Sequence, residues 1–381
     1  MVKEYTDLDE LEFVIEGYSA QTQTRNETLF HCANGYLGIR GCMEEGAENG
    51  SSSIRGTYIN GFCEDEEICY GERLYGFPQS KQVMVNLPDA QGVLLWAGGV
   101  LVQAWEDGAG EMTRRIDFSA GRTERTFSFR TGLGTLLLTI TRMASLVQKE
   151  LFILRYSIAS IDYSGEIHID SLLNGDVTNF SDPDDPRVAS EGQPKLVVTQ
   201  RRMKDDCLAL RVETKVSKRA AGCAVVHELD GAAPEPYSRG NLLAARFSRT
   251  LLPGDAVTLT KYCAYTDMPG VDDLLDEACQ IAFRARDKGF DHWANMQRAY
   301  LDAFWSRSRV RVSGGEQTQA YLDLCEYELL CAAGQNGRSS VAAKGLSGEG
   351  YEGHYFWDCE TYVFPFFLMT APDMAKKLLD Y

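Results

Sequence analysis

GTLLLTITRMASLV at residues 134–147, with LFILRYSIASI following at 151–161, is the passage on which the fold turns. Each run has the length of a strand, and Leu151, Phe152, Ile153 and Leu154 are apolar without alternation. A strand with two dry faces belongs inside a sandwich rather than on its surface. Similar runs recur on both sides: VLLWAGGVLVQAW (93–105), RTFSFR (125–130), GEIHIDSLL (165–173), PKLVVTQ (194–200), CLALRVET (207–214), CAVVHEL (223–229), LLAARFSRTLL (242–252) and AVTLTKYCAY (256–265). Gly, Asp, Asn and Pro punctuate them. In GEIHIDSLL, Ile167 and Ile169 alternate with His168 and Asp170, which predicts one dry and one wet face. No helix-length periodic segment interrupts the series, so the sheets are antiparallel rather than βαβ.

The character of the chain changes near residue 268. Pro269-Gly270 breaks the last strand, and VDDLLDEACQIAFRARDKG (271–289) carries Leu274, Leu275, Cys279, Ile281 and Ala282 at helical spacing. Acids in its first turns and Arg284, Arg286 and Lys288 in its last complement the helix dipole, and Gly289 stands where a C-cap belongs. FDHWANMQRAYLDAFWSRS (290–308) predicts a second helix with Trp293, Met296, Tyr300, Phe304 and Trp305 on its apolar stripe. A third helix runs from near Glu316 to Gly334, and PDMAKKLLDY (372–381) reads as a further one. The expected architecture is multidomain β plus α: an N-terminal antiparallel β-sandwich over 1–267, a helical linker over 268–312, and the start of a helical domain over 313–381. So few helices cannot bury their own amphipathic faces. The chain is therefore expected to be a fragment, or to have its helical half completed elsewhere.

The bulk properties agree. A length of 381 residues exceeds one ordinary core and suggests two or three domains. Hydrophobic content of 44% and charged content of 24% are those of a globular protein. A net charge of -17 repels phosphate backbones and anionic bilayers, so neither nucleic acid nor membrane is an expected partner. The opening MVKEYTDLDELEF lacks the apolar segment of an export signal, and no stretch approaches the roughly 20 apolar residues of a membrane span. The 11 cysteines are scattered, with no C-x-x-C pair and no zinc-ligand spacing. They read as reduced, mostly buried thiols of a cytoplasmic protein. Asn26-Glu27-Thr28 and Asn49-Gly50-Ser51 fit the glycosylation pattern, but without an export signal they are chance matches.

Chemistry concentrates in GEGYEGHYFWDCE (348–360). Gly348, Gly350 and Gly353 spell the dinucleotide pattern G-x-G-x-x-G. That pattern needs a strand before it and a helix opening at its third glycine. SSVAAKGLS (339–347) is a poor strand, and Pro365 breaks the segment on the other side, so a nucleotide is not expected. Phe356-Trp357-Asp358 suits a sugar instead. A Trp face packs on the C–H face of a pyranose, and a carboxylate accepts bonds from neighbouring hydroxyls. The opposing possibility is that Phe356, Trp357 and Phe364 are core and that Asp358 caps the next helix. Taken alone, the residues leave these two open. His354 and Asp358 are four apart, but a third metal ligand is missing, so His354 is expected to be structural. Glu349, Glu352 and Glu360 are expected at the surface, because nothing in the sequence buries any of them.

Three longer blocks resolve the choice. KGLSGEGYEGHYFWDCETYVFPFFLMTAP (344–372) resembles the signature of glycoside hydrolase family 65, which contains the inverting α-glucoside phosphorylases. ETLFHCANGYLGIRGCMEEG (27–46) and GTYINGFCEDEEICYGERLYGFPQ (56–79) resemble the same family, the latter closer to its kojibiose and trehalose phosphorylases than to its maltose ones. The resemblance implies a β-sandwich, a helical linker and an (α/α)6 barrel with the active site in its mouth, here truncated. It implies transfer of an α-linked glucosyl unit to inorganic phosphate with inversion, giving β-glucose 1-phosphate and a free sugar, with no metal or organic cofactor. Trp357 and Asp358 correspond to the family's glucose-binding pair, and His354 and Phe356 fall beside them as loop contacts. The family's general acid glutamate, its Lys-Gln pair and its phosphate-binding residues have no counterpart before Tyr381. The chain alone is therefore expected to be inactive, with no catalytic residue of its own. The resemblance adds an α-linked glucose disaccharide and phosphate as partners, and homodimerisation, common in the family. Two alternatives stay open: a hydrolase of the same family, acid trehalase-like, and a non-catalytic carbohydrate-binding or interaction protein if the gene ends at Tyr381.

Overall fold

A computed structural model of the chain describes residues 3–381 apart from 8–10, 69–71, 73, 186, 189–191, 205, 230, 269–272 and 314. Pro269-Gly270 and Cys69 thus lie outside the described residues. The strand-like runs form two principal antiparallel sheets. The larger has ten strands in the order Lys3–Asp7, Glu12–Glu16, Thr113–Asp117, Arg122–Thr131, Gly134–Ala144, Leu151–Ser160, Ala256–Thr266, Ala220–Glu228, Cys207–Thr214 and Leu196–Lys204. The smaller has five, ordered Glu235–Arg239, Leu242–Leu251, Gly165–Asn174, Val93–Ala97 and Val100–Leu101. Phe127, Leu138, Tyr156 and Ile158 of the first pack with Leu95, Ile167, Ile169 and Phe247 of the second in one buried cluster, which makes a sandwich. Leu151 to Leu154 are all buried, as their lack of alternation predicts. The wet face of 165–174 is only half as expected. His168 is half-buried, and Asp170 is buried beneath a two-pronged ion pair with Arg246, Nε–Oδ1 2.7 Å and Nη2–Oδ2 2.7 Å.

Six helices are described: α1 (Gln23–Leu29), α2 (Leu274–Lys288), α3 (Phe290–Ser308), α4 (Glu316–Ala332), α5 (Phe364–Thr370) and α6 (Pro372–Asp380). The start of α2 is capped by Asp273, whose side chain accepts the Asp276 amide at 2.9 Å, and Gly289 follows its end at φ +79°. Leu275, Ala278, Cys279, Ile281 and Ala282 lie on Cys207, Ala209, Ala224, Val226 and Ala264, so α2 covers the outer face of the large sheet. The stripe of α3 is displaced from the expected one. Trp293, Gln297, Leu301, Phe304 and Trp305 are buried, whereas Met296 is exposed and Tyr300 only half-buried. Gln297 is buried because it is satisfied on both ends, donating to Gly121 O at 2.7 Å and accepting from Leu146 N at 2.9 Å. The connector after α3 is tied to α4: Arg309 forks onto Asp323 at 2.9 and 2.8 Å, and Val310 N donates to Glu326 Oε1 at 2.9 Å.

The 27–46 block joins the two halves. Gly35 N donates to Cys331 O at 2.6 Å at the end of α4. A Cβ on Gly35 would stand 1.8 Å from Ala333 O, and one on Gly38 would stand 2.3 Å from Leu346 Cβ. Only glycine allows this approach of backbone to backbone. Cys331, Leu346, Phe367 and Met374 accordingly share a buried cluster with Ala33, Phe30 and Tyr58. The ten described cysteines are all free, nine of them buried and Cys325 exposed. No described helix is long and apolar enough to cross a membrane. Asn26 is buried, which removes its glycosylation match.

Candidate carbohydrate site

The segment 344–360 is not a free loop. It lies against two small antiparallel sheets beside the sandwich, one of Cys32–Ala33, Leu37–Ile39 and Thr57–Ile59 and one of Cys63–Glu67 and Ser80–Met84, and is held at each step. Arg40 donates to Ser347 O, while its Nε binds Ile54 O at 2.6 Å and its Nη2 stands 3.6 Å from Glu27. Glu349 accepts from Tyr58 Oη at 3.0 Å and from the Phe180 amide at 2.9 Å. Tyr351 N donates to Arg187 O at 2.6 Å, and Glu352 pairs with Lys81. His354 Nε2 donates to Gln82 O at 2.6 Å. Tyr355 donates to Asn60 Oδ1 at 2.7 Å, and Asn60 in turn binds Gly35 O and Ser340 O at 3.0 and 2.9 Å.

These contacts overcome an unfavourable backbone. Tyr351 and Glu352 both take left-handed angles, φ 56° and 55°. For residues with a Cβ each costs about 1–2 kcal/mol. The resulting 3₁₀ turn, Gly350–Gly353, has no strand before it and opens no α-helix. The dinucleotide reading therefore fails on geometry as well as on pattern.

Beyond the turn the chain emerges into solvent. Trp357 is 72% exposed and Phe356 42%, with Tyr351 set edge-on to Phe356 at 5.7 Å. Asp358 is exposed, precedes the π-helical turn Cys359–Val363 and makes no side-chain cap bond. Neither Trp357 nor Asp358 has the core or capping part that the opposing possibility gave it. Phe364 is half-buried at the start of α5. One-turn π segments inside helices are frequent at functional sites. Thr361 ties the turn down, its amide and hydroxyl both donating to Trp357 O at 3.2 Å. An exposed indole and an exposed carboxylate thus occupy adjacent positions on a braced backbone.

Two expectations are corrected. Glu349 and Glu352 are buried, at 5% and 9% exposure, and only Glu360 lies at the surface. Burial pushes the Glu349 carboxyl up to about 8, against the opposing pull of Tyr58, the Phe180 amide, Arg40 and Lys195. Their partners Tyr58, Arg40, Lys81 and Phe180 were missed because they come from distant parts of the chain. Three of the four lie in or next to the two N-terminal blocks, and co-occurrence of those blocks with 344–372 was the available signal. His354 is satisfied by a main-chain carbonyl. Among the described residues, no group of three or more His, Cys, Asp or Glu side chains is placed to hold a metal ion.

Comparison with known proteins decides the family. Residues 13–304 match the N-terminal domain of glycosyl hydrolase family 65, and residues 324–381 match its central catalytic domain.

The chain belongs to glycosyl hydrolase family 65.

Among its family 65 relatives is an α,α-trehalose phosphorylase of Geobacillus stearothermophilus, 37% identical over 93% of this chain and 47% of the relative. The α,α-trehalose phosphorylase of Thermoanaerobacter brockii is 33% identical over 96% and 48%. The kojibiose phosphorylase of Escherichia coli is 28% identical over 96% and 46%. A solved structure described as "Putative kojibiose phosphorylase from human microbiome" has the same fold, with a TM-score of 0.88 at 20% identity over 100% of this chain and 49% of its own. The chain spans about half the length of the curated relatives it matches. The N-terminal family 65 domain extends through α2 and most of α3, in keeping with the packing of α2 on the large sheet.

Proposed function

We propose that this chain supplies the sandwich, the linker helices and the opening of the barrel of an inverting α-glucoside phosphorylase, and that Trp357 and Asp358 bind the transferred glucosyl unit. The observation that carries the reading is the exposed Trp357–Asp358 pair, set just before a π-helical turn on a segment held by Arg40, Tyr58 and Gln82 of the N-terminal half. The indole covers the C–H face of the pyranose, and the carboxylate accepts from two hydroxyls. His354 and Phe356 flank the pair, His354 as a brace and Phe356 as part of the wall. Relatives named as trehalose and kojibiose phosphorylases support a disaccharide of that type as substrate, trehalose first.

In the reaction, a carboxylic acid protonates the glycosidic oxygen while phosphate attacks the anomeric carbon from the opposite face. The C1–O bond to the leaving sugar breaks as the C1–O bond to phosphate forms, so a single displacement inverts the centre. Phosphate takes the place of an activated water, and no metal or organic cofactor is required. On this reading the acid and the phosphate site belong to a part of the enzyme beyond these 381 residues; the chain spans about half the length of its trehalose phosphorylase relatives. The domain limits follow as 1–267, 268–312 and 313–381, and the cytoplasm and a homodimer are the expected setting.

The test is a phosphate-dependent assay on trehalose and kojibiose. The 381 residues alone should release no glucose 1-phosphate. The same residues joined to the second half of a trehalose phosphorylase relative should release its β anomer. Turnover by the chain alone would overturn the division of labour. Hydrolysis without phosphate by the joined protein would favour the trehalase-like alternative.

A further inference from the structure

Three neighbouring strands of the large sheet each turn an arginine toward the same buried space. Arg114 lies directly opposite Arg125 in the register of 113–117 with 122–131, and Arg142 lies opposite Thr123, one inward-facing position along. Like charges facing each other across a ladder are unfavourable, so the site must be compensated. Glu44 and Glu45, from the 27–46 block, supply part of this. Arg125 holds Glu45 at 2.7 and 2.6 Å and Glu44 at 2.5 Å. Arg142 Nε holds Glu44 at 2.5 Å, and its Nη1 reaches Arg40 O and Gln91 Oε1 at 3.2 Å. Three buried guanidinium groups thus share two carboxylates.

Arg114 is the one left over. It is 3% exposed. Its Nη2 donates to the neutral Gln23 Oε1 at 3.2 Å, and Phe30 covers it at 5.8 Å. Its Nη1 is buried with no hydrogen-bond partner among the described residues. A buried cation without a carboxylate is costly, and an unmet guanidinium donor adds to the cost. Burial first, then Arg125 and Arg142, pull its proton affinity down to about 10.

A cavity of ≈ 20 Å³ adjoins it, lined by Arg114, Arg125, Arg142, Glu44 and Glu124 together with Phe30, Met43 and Ile140. That is room for one body about the size of a water molecule. Water would satisfy the donor but leave the charge.

We propose that this cavity is a binding site for a single small monovalent anion of the halide type, chloride being the natural probe, held by Arg114 and facing Arg125 and Arg142. One negative charge there neutralises the cluster. Its partly apolar lining suits a weakly hydrated ion. The site would lock the 27–46 block, whose Arg40 reaches Ser347 O of the carbohydrate loop.

The deciding experiment is crystallisation of the chain in bromide, with anomalous diffraction. A bromide peak within hydrogen-bonding distance of Arg114 Nη1 is expected. Water or empty density at that point overturns the proposal, whatever else is measured. In solution, chloride should raise Tm above that in gluconate of equal ionic strength, saturably and by about 1–3 °C, because gluconate is too large to enter. Arg114→Met should abolish that increment; an increment retained in the variant overturns the assignment to Arg114. If Arg114→Met does not fold, Arg114→Gln serves in the same comparison, and the wild-type diffraction experiment needs no variant.

Discussion

Replacing Glu349 with glutamine should make the protein more stable, by an amount that depends on pH. The wild-type carboxyl is 5% exposed, and it accepts hydrogen bonds from the Tyr58 hydroxyl and the Phe180 amide. Burial moves its pKa from the ordinary 4.5 to about 8. Between those values the unfolded chain has lost this proton while the native chain keeps it. The native state then binds more protons, so stability falls as pH rises through the window. Above about 8 both states are ionised and the loss is complete. At about 1.4 kcal/mol per pH unit, the whole loss is of order 5 kcal/mol as an upper bound. The side chain of the Glu349→Gln variant has no proton to lose and can still accept from one of the two donors. Urea unfolding of both proteins from about pH 5 to 9, followed by intrinsic fluorescence, measures the difference. The curves should lie close together at about pH 5 and diverge by several kcal/mol by about pH 8, with the variant the more stable. Parallel curves across that range would refute the reasoning, because they would mean that Glu349 titrates as it does in the unfolded chain.

Four other substitutions probe the joints and the site. Arg125→Met should cost about 3–5 kcal/mol, because it strips Glu44 and Glu45 of a buried partner; the urea midpoint reads it. Gly38→Ala should cost about 1–3 kcal/mol, since its Cβ would stand 2.3 Å from Leu346 Cβ and 2.4 Å from Leu346 O; thermal unfolding checks it, and an unchanged Tm would mean that the halves are not joined there. Trp357→Ala and Asp358→Asn should each leave stability within about 0.5 kcal/mol of wild type in the same thermal assay, because both side chains are exposed.

Much of this architecture is legible in local pattern. LFIL is buried on both faces because it lacks alternation, and α2 begins at Asp273 and stops at Gly289 because a cap and a glycine stand there. What escapes local reading is satisfaction at a distance. Gln297 displaces Met296 from the buried stripe because Gly121 and Leu146, far back in the chain, meet both ends of its amide. Asp170 is buried because Arg246 on the neighbouring strand covers it. Glu349 and Glu352 go inside for the same kind of reason, through Tyr58, Phe180 and Lys81. In the site itself, the residue types of Trp357 and Asp358 suggest a sugar, but their exposure and the brace behind them are tertiary facts. The three converging arginines were also invisible, since only strand register brings Arg114, Arg125 and Arg142 to one face.

The central claim is that Trp357 and Asp358 form a glucose subsite held ready by contacts from the N-terminal half. Saturation-transfer NMR of the 381-residue chain with glucose tests it most directly. The account predicts transfer to the glucose C–H protons in the wild type, its loss in Trp357→Ala, and a marked reduction in Asp358→Asn, with all three proteins equally folded. Transfer of equal strength in all three proteins would contradict it, and so would its absence from the wild type.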